Sequence, residues 1–204
     1  TTKISGLREA AFWLSMFSLF SQILALFRDR LLAHYFGTGA ELDIYYAAFK
    51  IPDLIFVTVA SLVSVSALVP LFAKKESEDP MHLKDATKSI FTVFSVLIVL
   101  FCGVAWFLMP FLIKLSFSGL TLGAQTETIL LSRILLLSPL FLGFSNFFGS
   151  IVQYEKRFIL YSLSPLLYNL GIILGLVFLT KNFGVKASVI GVVFGAFLHL
   201  GLQA

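Results

Sequence analysis

The chain has 204 residues, 58% of them hydrophobic and 13% charged, with a mean hydropathy of +0.96 and a formal net charge of +4. Soluble domains carry roughly 25% charged residues, so most of this surface does not meet water. The apolar runs are continuous rather than alternating, which argues against a β-barrel and predicts an all-α, polytopic membrane helical bundle. A small positive charge on such a chain reports topology and anionic-lipid contact, not nucleic acid. No basic arm, zinc module or aromatic RNA platform is present. Cys102, alone and inside an apolar run, forms no internal disulfide.

The first span is expected over about 9–33. Ser15, Ser18, Ser21, Gln22 and Arg28 fall close to one helix face. In lipid such a stripe turns toward a wet cavity or brings another helix into close contact, and the pattern alone leaves both open. No secretory leader is evident. The chain starts at Thr1 and stops at Ala204 within an apolar run, so it is expected to be part of something longer.

Residues 27–52 are the patterned exception. Arg28-Asp29-Arg30 closes the first run, Gly37-Thr38-Gly39 makes a turn, Asp43 opens the second run and Pro52 sits inside it. The second span is read over about 43–72, with a kink at Pro52, a mildly polar face of Thr58, Ser61, Ser64 and Ser66, and an end at Pro70. A charged connector follows over 74–88. The third span covers about 89–113, then a loop over 114–128. The fourth covers about 129–154 with a kink at Pro139, the fifth about 158–180 with one at Pro165, and the sixth about 187–204. Gly171-x-x-x-Gly175 and Gly191-x-x-x-Gly195 are expected to seat helices against each other within the bundle.

Loop cations set the orientation. Lys3, Arg8, Lys74, Lys75, Lys84, Lys88, Lys156 and Arg157 fall on one side, and Arg28, Arg30, Lys114, Lys181 and Lys186 on the other. The bias predicts a cytoplasmic N-terminus.

Catalytic signatures are missing. His34, His82 and His199 lie in separate segments without ligand-spaced partners, so no metal site is expected. No nucleophile elbow, P-loop or dinucleotide fingerprint occurs. Neither an enzyme nor a cofactor is predicted. Arg28 and Asp29 are the informative charges. Burying Arg at a helix centre costs at least about 2.5 kcal/mol, and near a span's end it can avoid that by snorkelling. The functional reading is an anion site: guanidinium grips phosphate through a planar fork that Asp29 orients. Asp43 either caps the second helix or pairs with an arginine across the loop.

The stretch FRDRLLAHYFGTGAELDIYYAAFKIPDL resembles the N-terminal signature of the lipid II flippase family (MurJ/MviN), within the multidrug/oligosaccharidyl-lipid/polysaccharide exporter superfamily. Ala33, Phe36, Gly37, Gly39, Asp43, Ala48, Phe49 and Pro52 carry the match. Ala67 to Pro70, Arg157-Phe158 and Ser164 to Asn169 extend it over essentially the whole chain. The resemblance implies one six-helix lobe of a two-lobe, alternating-access transporter in the bacterial inner membrane, working in cell wall biogenesis. The second lobe would be missing here or replaced by another copy. The implied partner is a polyprenyl-diphosphate-linked glycan (lipid II) amid membrane lipids, with Arg28, Asp29, Asp43, Ser21 and Gln22 at the substrate. The chain departs from the family pattern at Gln22, where a second cavity arginine is expected, and at Phe56-Val57, where the family has Arg-Arg. Ser61 stands for Glu and Asp53 for Asn. These changes reduce the cavity's positive charge. They leave open another polyprenyl-linked glycan, a small cation, or a non-transporting membrane scaffold.

Overall fold

A computed structural model describes residues 7–63 and 80–204. These form seven helices: α1 (Leu7–Phe36), α2 (Ala40–Val63), α3 (Pro80–Ser116), α4 (Leu122–Leu135), α5 (Leu137–Tyr154), α6 (Phe158–Phe183) and α7 (Lys186–Gln203). Five stretches among them are long and apolar enough to cross a membrane: Ala11–Phe36, Asp85–Ser116, Leu122–Tyr154, Phe158–Phe183 and Lys186–Gln203. The expected end of the second span near Phe72, the Ala67-to-Pro70 element and the connector before Pro80 lie outside the described residues.

Local chemistry sets the boundaries. Gly37 takes φ +62° and its N–H closes α1 on the Ala33 carbonyl at 2.9 Å. Gly184 ends α6 in the same way at φ +54°. The expected loop over 114–128 is shorter than its composition suggests. Thr121 caps α4, its hydroxyl accepting the Ala124 N–H at 3.3 Å, while the Gln125 amide donates to the Phe117 and Leu120 carbonyls. Those bonds start the helix at Leu122 rather than near Ile129. The fourth span is also not continuous. The break is one residue, Leu136, which keeps helical angles of φ −60° and ψ −18°; it lies three residues before Pro139, which has no N–H for the Leu135 carbonyl and whose ring crowds it. By contrast, Pro52, Pro110 and Pro165 all lie inside single helices. The connector read over 74–88 is helical from Pro80 onward, as the start of α3.

Lipid tails are as apolar as leucine, so close packing rather than water exclusion holds such helices together. Phe94, Ile98, Cys102, Ala105, Met109 and Ile113 recur at helical spacing and form one buried face of α3 against Ile55 and Val59 of α2 and Phe147 of α5. A second core joins Leu32, Tyr45, Ala48, Leu131, Leu135, Ile172, Leu176, Val189 and Val192. At the α6–α7 crossing, Cβ atoms added at Gly171 and Gly175 would strike the backbone of Gly195 and Gly191 respectively. The small-residue pairs therefore face each other inside the bundle. Phe107, Phe111, Leu115, Phe178 and Phe197 remain exposed on the outside, as a surface bathed in acyl chains requires.

α1 leans mainly on α6 and touches α2 only slightly, although the two are neighbours in sequence. That splay opens a gap between α1, α2 and α6.

Candidate functional site

The gap is a cavity of about 340 Å³ lined by Arg28, Asp29, Leu32, Tyr45, Tyr46, Phe49, Lys50, Asp53, Tyr168 and Ile172. Its polar groups come from three helices. Arg28 and Asp29 stand about two turns before the end of α1. Lys50 and Asp53 share a face of α2 at i, i+3 spacing. Tyr168 comes from α6.

Arg28 does not snorkel freely. Its Nε and Nη2 reach Asp29 Oδ1 at 2.9 and 2.8 Å, and its Nη1 donates to Asn169 Oδ1 at 2.9 Å. Asn169 is itself fixed: its amide N donates to the Ser21 hydroxyl at 3.1 Å, the Ser21 carbonyl at 3.3 Å and the Pro165 carbonyl at 3.1 Å. The guanidinium is thus held by one carboxylate and one oriented amide. The second N–H on Nη1 and on Nη2 has no partner among the described residues. An oriented fork with unspent donors is the arrangement that binds a phosphoryl group.

The other sequence candidates fall at different distances from this fork. Ser21 is buried and holds Asn169. Gln22 lines a neighbouring space, also about 340 Å³, with Leu14, Ser18, Ser21, Tyr161, Ser162 and Pro165. The polar stripe of α1 therefore lines open space at Ser18 and Gln22 and makes a helix contact at Ser21. Asp43 is exposed in the first turn of α2, outside the cavity lining. Pro52, Pro139 and the Asp53 side chain border a third, smaller space beside Tyr168. Among the described residues no three of His, Cys, Asp and Glu gather as a metal site.

Asn169 is the site residue that sequence reasoning passed over. Its one signal was the Pro165-x-x-x-Asn169 spacing, which puts the amide over the proline carbonyl. Replacing Asn169 with leucine should release Arg28 and strand the Ser21 hydroxyl. We expect a loss of about 1–3 kcal/mol of folding stability, read as a lower melting temperature in detergent, with weaker phosphate-lipid binding.

A second polar cluster, also unanticipated, joins α5, α6 and α7. The Ser145 hydroxyl lies 2.6 Å from His199 Nδ1, 3.1 Å from the His199 carbonyl and 2.9 Å from Gln203 Oε1. Gln203 Nε2 donates to Ser164 Oγ at 2.8 Å, which donates to the Leu160 carbonyl at 3.1 Å. Ser145 has a single proton, so the chain is best satisfied when His199 donates from Nδ1 and Ser145 passes its proton toward Gln203. Ser145→Ala should cost about 1–2 kcal/mol, checked by thermal unfolding in micelles.

Comparison with known proteins bears on this geometry. The sequence profile of the family described as lipid II flippase MurJ matches residues 32–203. The lipid II flippase MurJ of Thermosipho africanus (strain TCF52B) is 33% identical over 191 residues, covering 90% of this chain and 38% of that protein. A probable lipid II flippase MurJ of Borreliella burgdorferi is 27% identical over 187 residues, covering 89% of this chain and 36% of its own length. A solved structure titled "Lipid II flippase MurJ, inward closed conformation" superposes with a TM-score of 0.78 at 28% identity, over 92% of this chain and 40% of that one. The chain spans less than two fifths of the length of these two curated relatives.

Proposed function

The chain belongs to the lipid II flippase MurJ family, and from that premise we propose that it forms the N-terminal lobe of a transporter moving a polyprenyl-diphosphate-linked glycan across the bacterial inner membrane. Lipid II is the first substrate to test. The observation that carries the reading is the Arg28 fork, braced by Asp29 and Asn169 at the wall of the cavity between α1, α2 and α6, with donors left for a ligand.

In this reading the diphosphate sits against Arg28, and Tyr45, Tyr46 and Tyr168 offer flat, amphipathic walls to the adjoining sugar and prenyl carbons. Asp29 keeps the fork aimed. Asp43, outside the cavity, acts at the mouth of the α1–α2 turn rather than on the phosphates. The N-terminus is cytoplasmic, as the loop cations predict. A second lobe completes the central cavity, and rocking of the lobes alternates its access. No group in the site is assigned bond-making chemistry; the chain binds and moves its substrate.

The test is binding of the purified chain to lipid II, undecaprenyl phosphate and a neutral lipid, by native mass spectrometry. Preference for the diphosphate lipid is expected. Equal retention of all three would sink the proposal.

A further inference from the structure

The cavity carries two cations and two carboxylates, and they are not equivalent. Arg28 and Asp29 are locked to each other. Lys50 and Asp53 face the same space, yet neither makes a hydrogen bond or ion pair among the described residues. Lys50 stands one turn before Asp53 on α2, and Tyr168 of α6 lines the same cavity beside Arg28. An anion bound at Arg28 therefore meets an attractive Lys50 and a repulsive, unpaired Asp53 across a space of about 340 Å³.

We propose that Asp53 limits the affinity of this cavity for phosphate lipids and sets its selectivity by headgroup charge. The inference rests on the phosphate-binding reading above and adds a role to a residue outside the Arg28 fork. Coulomb repulsion scales with ligand charge, so Asp53 penalises a diphosphate about twice as much, in free energy, as a monophosphate. The consequence for transport is release: a carrier must let go of its cargo, and an unpaired carboxylate beside the anion weakens the bound state without touching the fork.

Asp53→Asn removes the charge and keeps the shape. It should tighten binding of undecaprenyl diphosphate about tenfold and of undecaprenyl monophosphate about threefold. The preference for the diphosphate then rises about threefold. Asp53→Glu should stay near the wild-type ratio. The measurement is native mass spectrometry titration of both lipids against the purified chain, with melting temperatures in the same detergent to verify folding. Unchanged or weakened binding in a folded Asp53→Asn protein overturns the proposal. So does a uniform gain for both lipids, because charge selectivity is the claim. Arg28→Ala separates this from the underlying reading. If it weakens binding while Asp53→Asn does nothing, the role of Asp53 alone falls; if it leaves both lipids bound as in wild type, the phosphate site falls and the Asp53 proposal with it.

Discussion

Arg28→Ala should reduce diphosphate-lipid binding about 100-fold while leaving the chain folded. Two free N–H groups meeting phosphate oxygens are charge-assisted hydrogen bonds, each worth about 1.5–3 kcal/mol, and about 1.4 kcal/mol is a factor of ten. Folding is less sensitive. The Asp29 side chain is half exposed and finds water when its partner goes, and the remaining loss is the hydrogen bond to Asn169. Arg28→Lys is the sharper control. An ammonium keeps the charge but cannot reach Asp29, Asn169 and a ligand at once in one plane, so it should recover only part of the binding. Recovery to wild-type level by lysine would mean that charge alone matters and the fork does not. Full binding in both variants would return Arg28 to the role of an interfacial anchor.

The second large effect is structural. Gly171→Ala should destabilise the bundle by about 3 kcal/mol, seen as a large drop in melting temperature in detergent. The added Cβ would collide with the Gly195 backbone, with Gly195 N only 2.6 Å away and the Gly191 carbonyl oxygen at 3.4 Å. Backbone atoms cannot rotate aside, so α6 and α7 must separate. The same substitution at Gly103 in α3 meets nothing within 4 Å. There it should be neutral or stabilising by up to about 1 kcal/mol, because alanine is the better helix former. A Gly171→Ala protein that melts like wild type would mean that the crossing is looser than its glycines require. Because α6 carries Asn169, the separated variant should also lose grip on Arg28.

The helical bundle was readable because apolar length is a local property. The crossing glycines were readable for a similar reason: a four-residue spacing on one helix is visible without knowing its partner. The start of α4 was hidden because Thr121 and Gln125 look like ordinary loop polarity until their hydroxyl and amide are seen satisfying backbone groups. The resemblance put Asp43 with Arg28 at the substrate, while its position alone offered a cap for α2 or a partner for an arginine across the turn. Helix rise separates them: Arg28 lies roughly 12 Å down α1 from that turn, Asp43 only roughly 5 Å along α2. Lys50 and Asp53 line the cavity with Arg28 instead. The long-range partners of Asn169 and of the Ser145–His199–Gln203–Ser164 chain were beyond reach, since these bonds join residues 39 to 148 positions apart. No periodicity encodes such pairings.

The Ser145 chain has a mechanical meaning. Turning α7 by one residue swings its side chains roughly 100°, which would part His199 from Ser145 and Gln203 from Ser164 together. Gly149 leaves room for the Gln203 amide, whose oxygen would lie 2.6 Å from a Cβ placed there. Helices α5, α6 and α7 are therefore geared: none can roll without stripping the others' teeth. α1 is joined to that gearbox through Asn169, by bonds to Ser21 and Arg28. Pulling on the guanidinium is thus a pull on Asn169, and through it on α6 and the helices meshed with it.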